Sequence, residues 1–102
     1  MTRQFDVVKN RGSTQFPYLL VVQHDLLSEL NTRLVVPLAT MANVRTPLGR
    51  LTPVLEVEGR RLVALTHLAG AVRTSKLGPV VASLAEQRAS ILAAVDMLLT
   101  GV

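Results

Sequence analysis

Two histidines, His24 and His67, and seven carboxylates are the side chains of this 102-residue chain suited to acid–base or metal chemistry. Their spacing favours neither. His24 and Asp25 are neighbours at the end of an extended stretch, where successive side chains point to opposite faces, so a surface or turn role is expected in place of a dyad. His67 follows Thr66 with no second ligand at metal spacing, and a hydrogen-bonded histidine at the end of a hairpin is the expectation. Ser28 and Ser75 have no base near them in sequence. Gly12 is too isolated to cradle a phosphate and suits a turn. A nucleic-acid stacking platform needs interleaved aromatics, whereas Phe5, Phe16 and Tyr18 lie together near one end and read as core. No catalytic residue, metal site or cofactor is expected.

The elements that would carry these residues are mostly short strands. Gln4–Lys9 reads as a strand, followed by the turn cluster Asn10-Arg11-Gly12-Ser13. Tyr18–Gln23 is aliphatic throughout, like a strand buried on both faces, and Leu26–Arg33 is a bridge too brief for a stable helix. Leu34–Val36 reads as a strand closed by Pro37, which has no amide to give a ladder. Thr40–Arg50 lacks any period and is expected to be a long loop. Val54–Val57 and Leu62–Leu65 flank a turn at Glu58–Arg61 in which Gly59 supplies the required conformation. Gly70 and Gly78-Pro79 bracket one last extended piece. From Ser83 the period becomes helical: Leu84, Ile91, Leu92, Val95, Leu98 and Leu99 share a face. Ser83 and Glu86 form a capping box, and Gly101 ends the helix. The order predicts one α+β domain spanning 1–102, a small antiparallel barrel or sheet with a C-terminal helix against it.

Composition bounds what such a domain can do. Hydrophobic residues make up 49% and aromatics 3%, so the core must be aliphatic, and a disordered chain is excluded. There is no cysteine, hence no disulfide or thiolate metal site. The charged first ten residues do not read as a signal peptide, and no apolar run approaches the roughly 20 residues needed to span a bilayer. A soluble, cytoplasmic protein is expected. The net charge of +4 is spread along the chain. It fits a solubilising surface and an acidic partner equally well. The last six residues, Met97–Val102, stay apolar apart from Thr100, where chain ends are usually polar. Burial in a dimer or partner and docking on the chain's own sheet both explain them.

Taken together, Gln4-Phe5, Val22-Gln23-His24-Asp25-Leu26-Leu27, Arg33-Leu34-Val35-Val36-Pro37-Leu38-Ala39, Leu51-Thr52-Pro53-Val54, Thr66, Leu68-Ala69 and the helix closing on Gly101 resemble the CcdB toxins of toxin–antitoxin modules. The resemblance runs nearly end to end. It implies a CcdB/MazF-like β-barrel-like sheet with a minor sheet and one C-terminal helix, forming a homodimer without enzymatic activity. It also implies binding to the A subunit of DNA gyrase, trapping the enzyme on cleaved DNA, through positions matching Leu26, Leu27, Asp96, Leu99, Thr100, Gly101 and Val102. A cognate antitoxin with an acidic disordered tail would neutralise the toxin, with Arg11, Arg45 and Arg50 as its expected contacts. Toxin and antitoxin together would bind operator DNA and repress their operon. The sequence departs from the family at several of these positions: Asp96 replaces an Asn, and Leu99 followed by Thr100-Gly101-Val102 stands where the family has an aromatic residue followed by Trp-Gly-Ile. A buried Trp anchor is worth roughly 2–4 kcal/mol, about 30- to 1,000-fold in affinity. Two alternatives therefore stand beside gyrase poisoning: an antitoxin-binding relative with weak or no gyrase activity, and a MazF-like endoribonuclease using Arg45, Arg50 or His67.

Overall fold

The computed structural model describes residues 2–12, 15–44 and 48–102. Among the described residues seven strands, β1 (Asp6–Asn10), β2 (Tyr18–Val21), β3 (Thr32–Thr40), β4 (Val54–Val57), β5 (Arg60–Ala64), β6 (Gly70–Arg73) and β7 (Leu77–Ser83), precede one α-helix, α1 (Arg88–Thr100). All strand pairs are antiparallel, in the order β4-β5-β3-β2-β1-β7, and the sheet curls into a half-barrel. The expected α+β class is what forms. The minor sheet takes the form of a branch: β3 pairs β6 along Thr32–Val35 and β5 along Leu38–Thr40.

Both faces of the central strands are covered. Val7, Leu20, Val36, Leu38, Leu55 and Leu62 form the larger core with Phe5, Leu84 and Ile91. On the opposite face Val8, Leu19, Val21 and Val35 pack under Leu77 and Val72. The uninterrupted aliphatic run of β2 follows from this double burial. α1 rests against the 3₁₀ turns Gly49–Leu51 and Thr66–Leu68.

Several boundaries differ from the sequence expectation. Pro37 does not close β3 but lies inside it, opposite Leu19. The Leu34 carbonyl and amide face β2 and the Gln23 side chain, so the alternate residue Pro37 faces the other way. There β6 has already stopped at Val35 and β5 has not begun, so no ladder bond is forfeited, and the Pro37 carbonyl accepts from Leu65. The first strand starts at Asp6, not Gln4, because Phe5 takes a left-handed φ of 70°. The hairpin turn has two residues, not four: Glu58 and Gly59 have φ of 51° and 78°, a pairing that matches the strand twist and lets Arg60 and Arg61 join β5. Gly78-Pro79 lies within β7, giving two strands where one extended piece was expected. A Cβ on Gly78 would come within 2.8 Å of the Lys9 carbonyl oxygen, which accounts for glycine there. β7 ends the strand order, so Pro79 is tolerated.

The helix begins at Arg88, later than Leu84, after a 3₁₀ turn at Ala85–Gln87. The capping box does not form; Ser83 Oγ accepts from the Ala85 amide at 3.4 Å. Gln87 holds the helix start instead. Its side chain accepts from the Glu56 amide at 3.1 Å and donates to the Glu56 carbonyl at 2.9 Å, fastening α1 to β4. At the other end Gly101 has the expected left-handed φ, 79°, and its amide donates to the Met97 carbonyl.

Candidate partner-binding surface

The expected contact residues fall into two apolar projections. The first is the 3₁₀ turn Asp25–Leu27. Leu26 is 85% exposed and Leu27 51%, with Leu30 exposed just beyond. Their backbone is held from beneath. Arg33 is only 6% exposed, and its guanidinium donates to the carbonyls of Ser28, Leu30 and Thr32. Among the described residues no carboxylate pairs with it; three carbonyl dipoles take that place. Gln23 donates to the Leu27 and Thr32 carbonyls and accepts from the Leu34 amide, continuing the β2–β3 pairing with a side chain. Asp25 Oδ1 accepts from the Gln4 amide at 2.8 Å, tying the turn to the N-terminal segment. His24 Nδ1 accepts from the Leu26 amide at 3.0 Å and caps the turn. His24 thus has the turn role its position implied.

The second projection is the end of α1. The expected helix face divides: Ile91 and Ala94 are buried, Leu92 and Val95 half-buried, while Leu98 and Leu99 are exposed. Leu99 is 74% exposed and Val102 76%. Thr100 Oγ1 donates to the Asp96 carbonyl at 2.7 Å, so Asp96, Leu99 and Thr100 share the last turn. The apolar tip does not dock on the chain's own sheet.

The structure does not gather the two projections into one patch. Arg3, Asp6, His24, Asp25 and Arg88 line one polar cleft of about 400 Å³, so His24 and Asp25 at the start of the turn share a cleft with the first residue of α1. The tip lies at its last, roughly 18 Å along the axis. The expected antitoxin contacts are also apart. Arg11 is exposed beyond β1, its amide donating to the Lys76 carbonyl. Arg50 is exposed in the turn against α1, lining a groove with Pro53, Ala89, Ser90 and Ala93. Arg45 lies outside the described residues. His67 is exposed and makes no hydrogen bond among the described residues, contrary to the expectation. Among the described residues no three His, Asp or Glu side chains are grouped to hold a metal.

Sequence reasoning missed Arg33 and Gln23 as the scaffold of the turn. A basic residue inside an aliphatic strand was the available signal for Arg33; nothing local marks Gln23, whose partners come from the turn and from β3.

A family model described as CcdB protein matches residues 4–101. No curated protein matches the chain by sequence. Among solved structures the chain is similar to an endoribonuclease in complex with its cognate antitoxin from a mycobacterial species. Identity there is 14%, the TM-score is 0.79, and the match covers 97% of this chain and 95% of that one. Among the described residues no helix is long and apolar enough to cross a membrane.

Proposed function

This chain belongs to the CcdB protein family, the toxins of toxin–antitoxin modules, and we propose that it acts by binding the A subunit of DNA gyrase and stabilising its complex with cleaved DNA. In this reading the Leu26–Leu27 turn and the segment formed by Asp96 and Leu99–Val102 make the contact. Two protomers form a cytoplasmic homodimer, which brings two copies of each projection to one partner. A cognate antitoxin neutralises the toxin through Arg11, Arg45 and Arg50, and operator DNA is bound only by the two proteins together. The reaction is one of capture: no bond is made or broken by this chain.

The observation that carries the reading is the exposure of Leu99 and Val102 at a helix end shaped by Gly101. Large apolar side chains held in water beyond the body of a small domain mark a surface that meets another macromolecule. Thr100 brings less apolar area than the Trp implied by the family, so the contact is expected to be weaker by roughly 30- to 1,000-fold than one with that anchor.

Pull-down of the gyrase A subunit by the full chain and by a variant lacking residues 100–102 tests this. Retention by the first and loss by the second is expected; equal retention, or none by either, overturns it. The likeness in fold to an endoribonuclease supports a second reading. Arg50 and His67 sit on the two turns that flank α1, an arrangement open to a nucleic-acid backbone. Cleavage of a mixed RNA substrate by the pure protein, lost in His67→Ala, would replace the first reading with this one.

A further inference from the structure

We propose that the cleft between Arg33 and the start of β7 binds a carboxylate, held by the N–H groups that Arg33 does not give to the turn. The site stands whether or not the chain binds gyrase.

A guanidinium carries five N–H donors. In Arg33, Nη1 donates to the Leu30 and Thr32 carbonyls, and Nη2 donates once, to that of Ser28. Nε and the second hydrogen of Nη2 have no acceptor among the described residues. No buried side-chain nitrogen there lacks a partner, so the free Nε is one that water can reach. Carbonyl dipoles satisfy hydrogen bonds without cancelling a charge, and a charge placed this deeply ordinarily has an ionic partner. Arg33 is 6% exposed, and the ion pair among the described residues, Arg3 with Asp25, does not include it.

Arg33 lines a cleft of about 330 Å³ together with Thr2, Thr74, Leu77, Pro79 and Val80. Among the described residues no other charged side chain lines it, so the cleft has one cation and no carboxylate of its own. The hydroxyls of Thr2 and Thr74 make no hydrogen bond among the described residues and are donors in reserve. Leu77, Pro79 and Val80 supply an apolar wall suited to a short hydrocarbon stem. One guanidinium with two unused donors matches a planar acceptor of single charge. A phosphate dianion would meet one cation where it carries two charges.

The test is an NMR titration of ¹⁵N-labelled full chain with sodium acetate, compared with sodium chloride at equal ionic strength. Acetate should shift the Arg33 Nε–H and the Thr74, Leu77 and Val80 amides along one saturable curve, with a dissociation constant on the order of 1–10 mM. Shifts that do not saturate, that chloride reproduces, or that leave Arg33 unmoved overturn the proposal. Tighter binding of phosphate than of acetate overturns it as well. Val80 is 45% exposed, so Val80→Glu should fold and bring a carboxylate to the cleft wall. Acetate affinity should then fall roughly tenfold or more, and unchanged affinity sinks the site. Arg33→Lys keeps the charge, removes the planar fork and should weaken acetate roughly tenfold. Should that variant fail to fold, the Val80→Glu result decides alone. Capped tripeptides with a central Glu or Gln separate the sources of the carboxylate. Selective binding of the Glu peptide identifies an acidic side chain of a polypeptide; acetate binding without it identifies a small free acid.

Discussion

The two apolar projections reach the same exposure by opposite means. The Leu26–Leu27 turn is built on an interior: Arg33 and Gln23 reach five carbonyl contacts and one amide beneath it, and Asp25 fixes it to the N-terminal segment. The tip at Leu99–Val102 has only its own helix, with Gly101 and Thr100 bonded back to Met97 and Asp96. The first has met its ordering entropy during folding, while the second must lose freedom when a partner arrives. A rigid contact gives specificity; a tip of this kind can adapt to what it meets.

The largest expected effect comes from arming the weaker projection. Thr100→Trp should raise affinity for the gyrase A subunit roughly 30- to 1,000-fold, by titration calorimetry, with folding stability unchanged. No gain would show that the tip is not the contact. Next, Arg33→Met leaves the Ser28 and Leu30 carbonyls under the rigid turn without their donor, Thr32 keeping that of Gln23, and should cost about 3 kcal/mol, lowering Tm by roughly 12–24 °C. A small loss would mean that the turn does not depend on its scaffold. Gly101→Ala forces a Cβ into the left-handed region and should cost about 1 kcal/mol, read as fraying of the last helical turn by amide exchange. Leu99→Ala closes the series: less than about 0.5 kcal/mol of stability in chemical denaturation, because little is buried there. A larger loss would place Leu99 in the core after all.

What the sequence made legible is local. The hairpin at Gly59, the end of the helix at Gly101 and the doubly buried β2 each depend on a few adjacent residues. What it concealed is long-range. Pro37 is harmless within β3 only because β6 and β5 leave a gap at that point, and no neighbour in sequence says so. Ser83 and Glu86 have the spacing of a capping box, but Gln87 finds Glu56 on β4, 31 positions away, and the helix starts where that bond puts it. Of the candidate surface, the identities of Leu26, Leu27, Leu99 and Val102 followed from family likeness and apolar pattern. Their separation along α1 and the buried guanidinium under the turn did not, since both are properties of the packed chain.

The bond between Gln87 and Glu56 has a consequence for company as well as for shape. A side-chain amide that gives and takes one backbone bond each imitates a further strand, so the outer rim of β4 is occupied at its centre. At the opposite rim Pro79 withholds an amide from any newcomer alongside β7. These two margins, though not the outer side of β6, which pairs only β3, discourage recruitment of an extended polypeptide or stacking of copies rim to rim. A Gln87→Glu exchange, unable to donate, would reopen one margin to self-assembly.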